Sequence, residues 1–302
     1  MVVGSSTRNP LKPHCLSLGI STIRYKRNRY QSDGFFRLNL ANRQRIAGVE
    51  LETLYENECP SCYKQDLTDF VASGFLYQLS VLNDVSKAIK EGNNDDARQD
   101  LYNLYNKNLN KAVEQVFKPD SSNPLHRDYY YKMQANACKF SAYKAEYFTN
   151  ALQKAWQKSP EDYDANAKKI LQTANRFQIT EYNTTVARCR TARQFSNFKQ
   201  NQDLFPNLEW IRTRSSHPRE LHLSYVGLIL PMSDPFWAEN QPGNLYNCKC
   251  DWRQTNKPAT NAPNTIVKPA VGLEGNPCTT REMYTDKHPY FAKATDEAKK
   301  TN

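Results

Sequence analysis

Residues able to do chemistry crowd into one block of the chain, HPRELHLSYVGLILPMSDPFWAENQPGNLYNCKCDW, which closes at Trp252. It holds His217, His222, Cys248 and Cys250 and is flanked by arginines. On a strand, Cys248 and Cys250 would point to one face, because side chains alternate with period two. With His222 or His217 beside them they would offer three or four thiolate and imidazole ligands, a set that suits structural zinc. Cys59 and Cys62 have the commoner Cys-x2-Cys knuckle spacing, but no second pair or His pair follows at finger distance. At both places the plain alternative is a thiol packed as a small hydrophobe. A Cys–His nucleophile is a further chemistry open to the block, although it lacks a Gly-rich oxyanion turn. The chain contains no P-loop, GxGxxG, HExxH or GxSxG pattern.

Arginines supply a second kind of candidate site. Arg188, Arg190 and Arg193 lie on the helix entering the block, with Arg190 and Arg193 on one helical face. Arg212 and Arg214 would share a strand face, and Arg219 follows. Such a set can contact phosphates, or equally can form ion pairs with Glu209, Glu220 and Asp234. A denser basic region is N-terminal. Of the formal charge of +10, residues 1–50 carry +7: nine Lys/Arg, among them Arg24, Lys26, Arg27, Arg29 and Arg37, against Asp33 and Glu50. A basic extended arm favours a polyanion or an acidic protein surface, the alternative being a solvated tail.

These groups need elements to hold them. Residues 1–58 lack sustained periodicity and read as an extended arm, with a short helix near Leu40–Ile46. Residues 59–200 read as a bundle of long helices. Leu67, Val71, Phe75, Leu82 and Ile89 recur with helical spacing and end at Gly92. Asp95 or Asp96 can cap a second helix that stops before Pro119. Asn123-Pro124 begins a third. Ser159-Pro160-Glu161 looks like a restart with Ser as N-cap, and helix continues to about Phe198 with Thr180 or Asn183 as a possible interruption.

Residues 201–255 change character and read as a small α+β module. Leu208–Arg214 and Cys248–Gln254 are alternating strands able to pair, with one helical turn near Arg219–Tyr225 and a buried segment at Val226–Leu230. Asp234-Pro235 makes a turn that folds Phe236 and Trp237 inward as anchors. Residues 256–302, broken by prolines, read as an extended tail with a docking anchor at His288-Pro-Tyr-Phe291 and a short terminal helix. The fold class is therefore mainly α: a long-helix bundle, then a small module with a short sheet, flanked by extended arms.

Composition agrees. Hydrophobic residues make up 39% of the chain and mean hydropathy is −0.81, which favours long, polar-faced helices. No apolar run is long enough to span a bilayer, and MVVGSSTRNP lacks the apolar core of a signal peptide. Synthesis in a reducing cytoplasm is expected, so the eight cysteines are read as thiols or metal ligands rather than a disulfide framework.

The order of elements resembles the phage Mu F-like family of head morphogenesis, or minor capsid (minor head), proteins. The matching residues are TTVARCRTAR (184–193), EWIRTR (209–214) with Trp210, Arg219-x-x-His222, Gly227, Pro231-x-x-Asp234-Pro-Phe236-Trp237 and Asn247-Cys-Lys-Cys250. Lys249 stands where the family usually has Arg, and Pro242-Gly243 where Pro-Pro is common. The resemblance covers about residues 160–255.

It implies a non-enzymatic structural protein of a tailed double-stranded DNA phage, present in the virion in several copies. Its implied partners are the portal protein or major capsid protein and non-specifically bound double-stranded DNA, with no membrane. Head morphogenesis, DNA packaging or ejection are the implied processes. The alternative is a metal-dependent or Cys/His enzyme, toxin-like or hydrolytic, carried in the head. A free host DNA-binding protein is a third class, without a helix-turn-helix or finger framework to support it.

Overall fold

The computed structural model describes residues 79–213, 215 and 218–291, all within one unit that spans 50–302. The basic arm with Arg24, Lys26, Arg27, Arg29 and Arg37, the Cys59/Cys62 pair, Arg214, His217 and the terminal helix lie outside the described residues. Among the described residues, no helix is long and apolar enough to cross a membrane.

Helices dominate. They are α1 (Leu79–Lys90), α2 (Asn94–Glu114), α3 (Pro124–Lys158) and α4 (Tyr163–Lys199), with short α5 (Glu220–Leu223) and α6 (Pro277–Thr280) further on. The strands are β1 (Asn207–Ile211), β2 (Ile229–Pro231) and β3 (Asp251–Thr255). α2, α3 and α4 pack against one another through buried stripes. Leu101, Tyr105, Leu109 and Ala112 come from α2, and Met133, Ala137, Phe140 and Phe148 from α3. Asn123 caps α3 as its type and position predict, its Oδ1 accepting from the Leu125 and His126 amides.

Three local expectations change. α2 begins at Asn94 after Asn93, and Asp95 and Asp96 lie in its first turn, where their charge complements the helix dipole. Ser159 ends α3 instead of starting α4: its hydroxyl donates to Glu161 and Asp162, and α4 starts at Tyr163. The Tyr163 ring is buried 5.2 Å from Trp156, so tertiary packing sets that boundary. Thr180 and Asn183 do not interrupt α4, which runs unbroken for 37 residues.

The threonine run is instead a docking face. Thr184, Arg188, Thr191, Phe195 and Phe198 recur at helical spacing on α4. Thr184 Oγ1 accepts from the Asn247 amide, and Thr191 Oγ1 donates to the Pro242 carbonyl. Phe195 and Phe198 lie against Trp252 at 5.8 and 6.2 Å. The sheet is antiparallel in the order β2-β1-β3, with Trp210 opposite Trp252, so the expected pairing of the two alternating segments is found.

Of residues 256–291, expected as an extended tail, 256–266 are largely exposed and without helix or strand, whereas 267–291 are packed into the molecule. Asn136 on α3 pairs with the Met283 and Tyr284 backbone: its Oδ1 accepts from both amides and its Nδ2 donates to the Tyr284 carbonyl. Tyr129 donates to the Cys278 carbonyl, and Tyr284 stacks on Phe140 at 3.9 Å. The His288–Phe291 segment is buried as its anchor.

Candidate metal centre

β1 organises the block. Trp210 is fully buried at its centre, and its carbonyl accepts from the Gly227 amide. Gly227 has φ +87, a left-handed backbone that a Cβ disfavours. The chain then enters β2 and turns at Asp234, whose Oδ1 accepts from the Phe236 amide at 2.9 Å. That turn drops Phe236 and Trp237 inward, and the Trp237 indole donates to the Pro231 carbonyl. Trp237 lies parallel to Trp210 at 6.4 Å and edge-on to Trp252 at 5.5 Å. The anchor residues therefore form one aromatic core.

His222 and the two cysteines meet beside this core. α5 carries His222, whose ring is buried 5.3 Å from Trp210 and 6.0 Å from Tyr225. Cys248 Sγ lies 3.5 Å and Cys250 Sγ 3.3 Å from the same atom, His222 Nδ1. The cysteines are not on a strand, as period-two reasoning assumed; β3 starts at Asp251, after both. They share a direction because Asn247 takes φ +53 and swings the chain out of a turn toward α5.

Electrostatically the thiols are a pair. The hydrogen bond from Cys250, with further help from His222, holds the Cys248 thiol well below its ordinary value, while the bond to Cys248 and burial push Cys250 up. Chemically, two sulfurs and an imidazole nitrogen suit a borderline-soft divalent ion. Among the described residues this is the group of His, Cys, Asp or Glu whose ligand atoms converge, all lying within 4.8 Å of one another.

The arginines separate into two roles. Arg188, expected on a binding surface, is inside the protein: its guanidinium is fully buried and donates to the carbonyls of Gly243, Leu273, Gly275 and Glu282. Burial lowers its pKa to about 10. Arg190 and Arg193 are exposed, and Arg193 also donates to the Val116 carbonyl at 2.8 Å. Glu209 pairs across the sheet with Arg253, in bonds of 2.9 and 3.0 Å, and with Lys257; these contacts hold its carboxyl below the usual range.

One charged site escaped the sequence reading. Lys144 on α3 and Glu181 on α4 form a fully buried ion pair at 2.5 Å. Lys144 also donates to the Ala174 carbonyl and lies 4.4 Å from the Tyr105 ring centre. Tyr290 donates to the other Glu181 oxygen. A signal was present: Lys144 sits in register with Phe140 and Phe148, where the stripe of α3 calls for an apolar residue.

A comparison with curated proteins finds a similarity to "Putative capsid assembly protein F" of Escherichia phage Mu, 26% identical over 89 residues. The matched segment is 30% of this chain and 20% of that protein, so the chain matches about a fifth of its relative's length. No family model matches the chain, and no solved structure does.

Proposed function

We propose that this chain is a structural component of the head of a tailed double-stranded DNA phage, docked at the portal or the head interior in several copies and acting in head morphogenesis, packaging or ejection. The observation that carries this reading is the part-length similarity to a phage protein named for capsid assembly. The architecture supports it. Long helices with polar outer faces offer docking surface, and α4 packs against both the aromatic module and the C-terminal segment. Exposed Arg190 and Arg193 and the +7 arm of residues 1–50 would face DNA or an acidic protein surface, where attraction is large and independent of sequence. The arm is the tether in this proposal.

The test is composition of purified particles from the phage or prophage that encodes the chain. The protein should co-purify with DNA-filled heads in a fixed copy number, and deletion of residues 1–45 should lower that number while leaving the remainder folded. Particles that lack the protein would end the proposal; undiminished incorporation of the deletion variant would end the tether.

The second reading, an enzyme carried in the head, draws on the 3.3 Å approach of Cys250 to His222. The convergence of Cys248 on the same nitrogen favours shared ligation over a nucleophile and its base.

A further inference from the structure

We propose that His222, Cys248 and Cys250 bind a zinc-class divalent ion through Nδ1 and two thiolates, locking α5 to the loop that leads into β3, with solvent in the fourth position. Zinc–sulfur bonds of about 2.3 Å and zinc–nitrogen bonds of about 2.0–2.1 Å at tetrahedral angles put sulfur and nitrogen about 3.6 Å apart. The two sulfur–nitrogen distances here are 3.5 and 3.3 Å, so an ion fits between the donors with shifts of a few tenths of an ångström. All three ligand atoms fall within 4.8 Å of each other, which accommodates a tetrahedral sulfur–sulfur edge of about 3.8 Å.

Chemistry points the same way as geometry. Thiols packed as small hydrophobes gain nothing from converging on one ring nitrogen. Thiolates on a metal require that convergence. Two thiolates neutralise a divalent ion, which removes the cost of burying charge beside the aromatic core. On binding, the two thiols give up their protons to solvent, and no oxidation state changes. The His222 ring is oriented by Trp210 and Tyr225 rather than by an acceptor at Nε2, which has no hydrogen-bond partner among the described residues.

The experiment uses the full chain carrying Cys59→Ser and Cys62→Ser, so that the knuckle-spaced pair contributes nothing, purified with reductant and titrated with Zn²⁺ and Co²⁺. The proposal expects one ion per chain by elemental analysis. It also expects sulfur-to-cobalt charge-transfer absorption with visible bands of four-coordinate Co²⁺. Further Cys248→Ser or Cys250→Ser changes should abolish the charge-transfer signature stepwise and weaken binding by at least about 100-fold, since even second-shell losses cost 10–100-fold. Should those variants fail to fold, the parent decides: Zn²⁺ at 100-fold excess over its Kd should raise the thermal midpoint by about 5–10 °C, reversibly with a chelator. No retained metal and no midpoint shift in the parent would overturn the site. So would charge-transfer bands that are undiminished in both single cysteine variants.

Discussion

The Tyr290 hydroxyl donates to Glu181 Oε1 at 3.0 Å, on the opposite side of a buried carboxylate from Lys144. The C-terminal segment thus completes a charge site formed by two helices, and the bundle core is closed only when that segment is in place. Burying an ion pair is costly unless its remaining lone pairs and protons are satisfied. Here they are met by Tyr290, the Ala174 carbonyl and the Tyr105 ring face.

Removing one partner of that pair should be severe and removing both should not. Glu181→Gln is expected to cost about 3–5 kcal/mol by stranding the Lys144 ammonium, whereas Lys144→Met with Glu181→Leu should recover most of the loss. Chemical denaturation of the three proteins checks this. Equal losses in the single and double variants would show that the pair itself, rather than its completeness, holds the helices.

Arg188 is predicted to control the C-terminal segment and not ligand binding. Arg188→Met leaves the Gly243 and Leu273 carbonyls without their donor, at about 1–3 kcal/mol for each group left buried and unpaired, whereas the Gly275 carbonyl keeps the Gln241 amide. Limited proteolysis should then cut within 267–291 at protease levels that leave this stretch of the parent intact. A segment that stays protected would contradict the role.

His288 makes stability depend on pH. Burial, with Lys144 nearby, holds its folded pKa down at about 3, against an ordinary value of 6.5. The unfolded chain therefore binds a proton that the folded chain refuses between those values. The contribution is complete above pH 6.5 and is lost as pH falls through the window, at up to about 1.4 kcal/mol per pH unit. Urea midpoints between pH 7 and pH 4 should fall more steeply for the parent than for His288→Gln. Parallel curves would contradict the assignment.

Two glycines share a backbone region but differ in surroundings. Gly227 and Gly272 both have positive φ, yet a Cβ at Gly227 meets nothing within 4 Å, while one at Gly272 would lie 2.7 Å from the His288 ring. Gly227→Ala should cost about 1–2 kcal/mol for the left-handed conformation alone. Gly272→Ala should cost a further 1–3 kcal/mol, roughly, for overpacking. Equal thermal midpoints in the two variants would refute the distinction.

What was legible followed from local rules. The Asn123 cap, the Asp234-Pro235 turn and the Trp210–Trp252 pairing each rest on neighbours or on period-two alternation, and those signals survive in one dimension. The metal-ligand trio was also legible as residue types, though by an argument that placed the cysteines on a strand when a positive-φ Asn247 does the aiming. Long-range partners were not legible. Thr180 looks like a helix interruption until Thr184, one turn on, is seen to accept from the Asn247 amide, 63 residues away in sequence. Arg188 looks like a surface cation because carbonyl acceptors carry no sequence signature. Residues 267–291 look like a tether because proline-rich spacing hides the fact that Asn136 offers their backbone a partner.

The proposal that this chain is a fixed structural part of a phage head is best tested by imaging the particle without imposed head symmetry. Ordered density for the α1–α4 bundle and aromatic module is expected in several copies against the portal or the inner head wall. Particles with a full genome and no such density, or the protein found only free of particles in infected cells, would contradict it.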